Sequence, residues 1–269
     1  MPEGPEVKIT VDQLNQLVAK KNLAALNINS GRYSKKVPIG YNNFIEKLPL
    51  KLEKIYCKGK FIWFEFEKGH YIFNTLGMSG GWRVKKEKHS HVTFTFENLD
   101  VYFTDMRNFG TLKFISKKSE LDKKLKELGA DVFSKEYTLE YVKKVLKTKR
   151  LEKKTIAEVL MNQKKFCGIG NYLKSEILYE CKISPHRMLV NLSETDIKNI
   201  YTNSKKLAKD SYVSGGGSSG EFHDVENKKG SYHHQFRVYQ QKKDSLGNIV
   251  KKETTKDKRT THWVPEIQI

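Results

Sequence analysis

Cysteine is scarce. The chain has three in 269 residues, Cys57, Cys167 and Cys181, odd in number and without paired spacing. That excludes a disulfide framework and a four-thiolate zinc site, so the three read as reduced intracellular thiols. Long apolar runs are missing too: nothing approaches the roughly 20 residues that a bilayer span needs. No basic start followed by an apolar stretch and a small-residue cleavage site marks a signal peptide. Negative charge is in short supply, with 31 Asp and Glu against 50 Lys and Arg and a net charge of +19. Such a surplus repels itself unless an anion is bound, and nucleic acid is the first candidate. No internal repeat is found. What is present is aromatic: 14 Phe, 13 Tyr and 3 Trp argue against disorder. The length suits two domains.

Residues 7–23, VKITVDQLNQLVAKKNL, carry Val7, Val11, Leu14, Leu17 and Val18 at helical spacing. Pro5 suits the first turn of that helix. Two aromatic and β-branched runs with near alternation follow, KLEKIYCKGKFIWFEFEKGHYIFNTL and HVTFTFENLDVYFTDMRNFGTLKFI. Turn signals at 67–69 and 97–100 divide them into antiparallel strands of a β-sandwich or barrel-like layer. Residues 116–129 read as a helix ended by Gly129. From about 134 to 212 the pattern is helical, with no strand signal. SGGGSSG (214–220) has the composition of a flexible linker. The last segment reads as a β-hairpin with turns at Gly247-Asn248 and at 256–258. The expected class is α+β: an N-terminal antiparallel β-sandwich with flanking helices (1–133), a helical domain (134–213), a flexible loop (214–231) and a terminal hairpin (232–269).

Two stretches carry chemistry. In MNQKKFCGIGNYLKSEILYE (161–180), Gly168 to Asn171 lie between helical patterns. A glycine-rich turn feeding a helix N-terminus presents free N–H groups to an anion. Many such turns are only connectors. The other stretch is the opening MPEGPEV. Its acids, Glu3 and Glu6, suit a helix N-terminus through the dipole. Its Pro2 nitrogen is an α-amine once Met1 is removed. An α-amine with pKa near 8 is about 10% free base at pH 7, whereas a lysine is well below roughly 0.1%.

PEGPEV, CKGKF (57–61), NTLGMSGGW (74–82), TDMRNFG (104–110) and LMNQKKFCGIGNYLKSEIL together resemble the signatures of the formamidopyrimidine-DNA glycosylase / endonuclease VIII (Fpg/Nei) family. They occur in the family's order and span the chain. The resemblance implies a helix–two-turn–helix domain and a bifunctional DNA glycosylase/AP lyase of base excision repair. It implies Pro2 as the nucleophile forming a Schiff base, Glu3 as general acid/base and Glu6 as a supporting acid. Lys60 matches a catalytic-site lysine on a β-hairpin that contacts phosphate. Asn171 and Arg259 match two further phosphate ligands, which position the backbone without reading sequence. Met78, Arg107 and Phe109 match the residues that fill the gap left by a flipped nucleotide. By themselves Met78 and Phe109 read equally as core, and Lys60 as a solvated strand-end lysine.

The chain departs from the family pattern at its end. Val264 and Ile267 stand where many members carry zinc-ribbon cysteines, and no cysteine follows Cys181. No metal and no cofactor is expected. The hairpin is expected to be held by Phe236, Val238, Tyr239, Ile249, Val250 and Trp263. This resembles the zincless-finger Nei-like branch, and the Lys- and Asn-rich composition points towards its giant-virus (mimivirus-type) members. SGGGSSG lies where 8-oxoguanine-specific members have a loop over the flipped base; it is either that loop or a plain linker. Its lack of side chains leads to the expectation of oxidised pyrimidines and hydantoins as substrates, followed by β,δ-elimination. A purine-specific (8-oxoguanine or formamidopyrimidine) glycosylase and a non-catalytic DNA-binding protein are the alternatives. Only PEGPEV separates an enzyme from a binder. The expected partner is damaged double- or single-stranded DNA, with no membrane and a monomeric chain, inside the cell (nucleus, or host cytoplasm/viral factory). A form that keeps Met1 should fold and bind DNA but lack the chemistry.

Overall fold

A computed structural model describes residues 2–217 and 222–269, and its contacts divide them into two compact units. Unit 1 comprises 1–126 with 218–230, and unit 2 comprises 127–217 with 231–269.

Unit 1 begins with helix α1 (Gly4–Val18), which starts with a capping box: the Glu3 side chain takes the Glu6 N–H while the Glu6 side chain takes the Glu3 N–H. Val7, Val11, Leu14 and Val18 are buried along one face, each contributing roughly 1.5–3 kcal/mol by leaving water. Strands β1 (Asn22–Ile28), β2 (Leu50–Lys58), β3 (Phe61–Phe66), β4 (His70–Thr75), β5 (Gly80–Arg83), β6 (Ser90–Phe96), β7 (Leu99–Asp105) and β8 (Thr111–Ile115) form one antiparallel sheet. Their order is β5-β7-β6-β1-β2-β3-β4-β8. β1 and β2 share only the pairs Asn22–Lys51 and Leu23–Leu50, so the sheet folds there into two four-stranded halves. Rings from the two halves meet in the core: Phe64 of β3 lies 5.1 Å from Trp82 of β5 and 6.0 Å from Phe94 of β6. Short helices α2 (Arg32–Lys35) and α3 (Tyr41–Ile45) link β1 to β2, and α4 (Lys118–Lys126) closes the unit.

The Asn15 side chain fastens α1 to β2, donating to Ile55 O (2.7 Å) and accepting from Ile55 N (2.8 Å). Of the expected flexible loop 214–231, residues 218–221 lie outside the described residues. Its continuation packs on unit 1. Val225 is buried, its carbonyl accepts from Val84 N (3.1 Å), and Gln13 donates to Asp224 (2.8 Å).

Unit 2 holds β9 (Ala130–Asp131), α5 (Leu139–Leu146), α6 (Ile156–Leu160), β10 (Phe166–Cys167), α7 (Asn171–Glu180) and α8 (Glu194–Val213), then the hairpin β11 (Lys251–Thr254) and β12 (Thr260–Trp263). Thr155 and Ser193 start α6 and α8 with capping boxes. Two details differ from the expectations. β9 and β10 form a two-residue parallel pair, and β10 lies inside the stretch read as purely helical. Gly129 does not end a helix, since α4 stops at Lys126. A Cβ at Gly129 would lie 2.3 Å from the Lys165 carbonyl oxygen, so close backbone approach is what that glycine permits.

The terminal hairpin and the residues before it, from 236 on, make up the finger. Val238, Val250, Val264 and Tyr179 form a small core, with Ile267 packed against it. Trp263 is buried as expected, but Ile249 is 67% exposed and holds nothing. Phe236 and Tyr239 pack instead on Tyr172 of α7, at 5.4 and 6.2 Å between ring centres.

Candidate active site and nucleic-acid interface

The opening stretch folds so that Pro2 precedes the first residue of a buried helix end. Glu3 is the N-cap, in extended conformation. Both acids are withdrawn from solvent, Glu3 at 4% and Glu6 at 0% exposure. Glu6 Oε2 accepts from Glu3 N at 2.8 Å, so Glu6 fixes the backbone of the residue next to Pro2. The positive end of the α1 dipole favours acidic side chains at this helix start. Lys60 lies on the two-residue turn Gly59-Lys60 that joins β2 to β3, half-buried, with Gly59 at φ 56°.

Met78, Arg107 and Phe109 come together on unit 1. Arg107 Nη1 lies 3.4 Å from Met78 Sδ, and its guanidinium stands 4.9 Å from the Phe109 ring centre. Phe109 is 54% exposed, so it is not core; Met78 is half-buried. A buried carboxylate shapes the loop that carries them. Asp105 accepts from Ser79 Oγ (2.7 Å), Arg107 N (3.2 Å) and Gly110 N (2.6 Å). His91 Nε2 meets the Asp105 carbonyl at 2.9 Å, and Ser30 Oγ holds its Nδ1 at 2.8 Å. Asn108 adopts the left-handed region, φ 57°. Ser79, His91 and Asp105 were not singled out from sequence, although the Asp two residues before Arg107 is visible in TDMRNFG.

On unit 2 the Gly168–Gly170 turn is wrapped by one side chain. Gln163 donates to Ile169 O (2.8 Å) and accepts from Gly168 N (3.1 Å). The turn delivers Asn171 to the start of α7, where its Nδ2 donates to Thr260 O (2.9 Å) and its Oδ1 is buried without a hydrogen-bond partner. Thr260 follows Arg259, which is exposed at the turn between β11 and β12. Asn171 and the arginine turn are therefore neighbours.

Charges inside unit 2 tie the finger to α7, and none of them was read from sequence. Lys174 Nζ reaches Asp257 (2.6 Å) and Thr261 Oγ1 (2.7 Å). Glu176 accepts the N–H groups of Arg237, Val238 and Tyr239 at 2.9, 3.0 and 2.7 Å. Burial raises the Glu176 carboxyl pKa against those three donors. Tyr179 OH donates to Asp244 (3.0 Å). Among the described residues no group of three His, Cys, Asp or Glu could hold a metal ion, and no helix is long and apolar enough to cross a membrane.

Three family models match the chain in succession. They are the N-terminal domain (residues 1–112), the H2TH domain (128–223) and the C-terminal domain (224–269) of formamidopyrimidine-DNA glycosylase. A formamidopyrimidine-DNA glycosylase of Shouchella clausii is 29% identical over 279 residues, covering 100% of this chain and 99% of its own. A crystal structure of a Lactococcus lactis Fpg mutant with DNA containing Fapy-dG superposes with TM-score 0.86 at 24% identity, covering 99% of each chain. The wild-type Lactococcus lactis protein with DNA containing an oxidised pyrimidine gives TM-score 0.85 at 24% identity, again over 99% of each chain.

Proposed function

The chain belongs to the formamidopyrimidine-DNA glycosylase family of DNA repair, whose members are DNA N-glycosylases with abasic-site lyase activity, and on that premise we propose how its own residues do this work. The observation that carries the reading is the buried Pro2-Glu3-Glu6 start of α1. With Met1 removed, the Pro2 secondary amine attacks C1′ of the damaged nucleotide. The bond to the base breaks, and the base leaves with a proton. Glu3 supplies and takes protons as the sugar ring opens. The product is a cationic imine between Pro2 and C1′. Its electron demand acidifies the C2′ proton, loss of which expels the 3′ phosphate; a second elimination expels the 5′ phosphate. Glu6 keeps the Glu3 backbone in place.

Damaged DNA is the partner. Lys60, Asn171 and Arg259 take its phosphates, in keeping with the +19 charge. The damaged nucleotide is flipped out, and Met78, Arg107 and Phe109 occupy the gap. Oxidised and ring-opened purines are the first substrate class. The relatives carry the formamidopyrimidine name, and the Lactococcus lactis protein has been bound to Fapy-dG DNA. The expectation of pyrimidines and hydantoins rested on a loop poor in side chains, yet Phe222 to Gly230 beyond it are described and anchored on unit 1. A pyrimidine activity stays in view because that relative was also bound to oxidised-pyrimidine DNA.

Borohydride trapping tests the chemistry. Protein lacking Met1 should form a covalent adduct with abasic DNA; Pro2→Gly and Glu3→Gln should lose base excision and keep salt-sensitive DNA binding. No adduct from correctly processed protein would refute the Schiff-base mechanism. A cleavage panel with 8-oxoguanine, formamidopyrimidine, thymine glycol and spiroiminodihydantoin decides the substrate class.

A further inference from the structure

Helix α7 is buried on every side from Tyr172 to Tyr179. A lysine inside such a helix is costly unless it is paired and hydrogen-bonded. Lys174 is 0% exposed and its partner Asp257 is 3% exposed at the side chain, with 2.6 Å between Nζ and Oδ2. Asp257 belongs to the finger turn that ends at Arg259. Its other oxygen, Oδ1, accepts from Arg259 N (3.3 Å) and from Thr255 Oγ1. Thr255 N in turn donates to Arg259 O (3.1 Å), and Thr255 Oγ1 meets Thr261 Oγ1 at 2.6 Å, where Lys174 also donates. One carboxylate thus joins α7 to the backbone of the exposed arginine. One helical turn earlier, Asn171 holds the carbonyl of the next residue, Thr260.

We propose that Lys174 and Asp257 are positioning residues for DNA binding: their buried ion pair fixes the finger turn so that Arg259 meets the same run of phosphates as Asn171. The hydrophobic burial of the finger core is not directional, and the Glu176 and Tyr179 contacts fix residues 237–239 and 244 and not the turn. A buried ion pair with hydrogen bonds on both partners holds the turn in one placement. Within the turn, the buried Thr255 hydroxyl adds a contact to Arg259 O (3.3 Å). The inference deepens the proposed function and rests on it for the identity of the anion.

The test is a mutant cycle on the full chain, with a duplex containing a tetrahydrofuran abasic analogue as probe. Asp257→Asn keeps shape and removes the charge. It should weaken binding about tenfold and lower the steepness of log Kd against log salt by about one, the slope of one lost phosphate contact. In an Arg259→Ala background the same change should cost less than twofold, since Asp257 acts through Arg259. Lys174→Met should do likewise; if it fails to fold, Asp257→Asn decides alone. A tenfold loss that persists in the Arg259→Ala background, or an unchanged salt slope, overturns the proposal. A fall in melting temperature with an unchanged slope marks a purely structural role and also overturns it. Borohydride trapping of the wild-type protein reads the chemistry separately, so failure of the Schiff base is told apart from failure of the strut.

Discussion

Acid should loosen the finger through one histidine. His262 lies in β12, 6% exposed, opposite Lys252, with its ring 5.0 Å from Tyr239. Its Nδ1 is buried without a hydrogen-bond partner. Burial, with Lys252 and Lys174 nearby, pushes its pKa down to about 4 from an ordinary 6.5. The folded state therefore holds His262 neutral where the unfolded chain already takes up a proton. Stability from this group is complete above pH 6.5, is lost progressively as pH falls from 6.5 to about 4, and changes no further below that. Between pH 7.5 and pH 5 the unfolded histidine gains a proton and the folded one does not, which costs about 2 kcal/mol. His262→Phe keeps a ring of similar volume and cannot titrate. Urea unfolding of both proteins at the two pH values gives the difference of differences, in which every other group cancels. The wild type should lose about 2 kcal/mol more than His262→Phe on acidification. Equal losses, within about 0.5 kcal/mol, or a wild type that gains on the variant, would refute the argument from burial.

Arg107→Ala and Phe109→Ala, both at exposed positions, should leave stability within about 0.5 kcal/mol. Single-turnover excision should nevertheless slow by roughly 5- to 150-fold, the loss of about 1–3 kcal/mol of stacking support. Val264→Ala removes two buried methyl groups from the small finger core and should cost about 2 kcal/mol by transfer and cavity together. A chelator should shift neither melting temperature nor excision, and a fall in either with EDTA would contradict packing as the finger's support. Glu253, held by His186, Lys251 and Trp263, has its carboxyl pKa lowered to about 2, the His186 hydrogen bond leading. Its contribution, about 1 kcal/mol after solvent screening, is present above an ordinary carboxylate pKa and fades as pH falls towards 2. Glu253→Gln should therefore be less stable than the wild type at pH 7 and converge with it in strong acid, as urea unfolding at pH 7 and 2 would read.

Unit 1 was legible because its signals are local. Pro5 and Glu6 inside the first turn announce a helix start within a few residues, and near alternation in FIWFEF marks a strand whose buried positions the sheet then confirms. Five short motifs in order gave the family and pointed to Met78, Arg107 and Phe109, and the exposure of Phe109 excludes a core role for it. The finger's support was less legible, for a physical reason. Periodicity reports which face of an element is buried, and it says nothing about what a buried polar group will pair with. In NYLKSEILYE, Lys174 and Glu176 look like an ordinary polar face. Because α7 is buried on all sides, both must find partners, and those partners are 83 and 61 to 63 residues away. The same limit misread Ile249, an apolar side chain that the hairpin turns outward. Where cysteines are missing from the finger, the chain supplies α7 with a lysine, a glutamate and a tyrosine aimed at it. The absence of thiolates after Cys181 was visible, but the polar contacts that secure the hairpin in their absence emerge only when α7 and the finger are folded together.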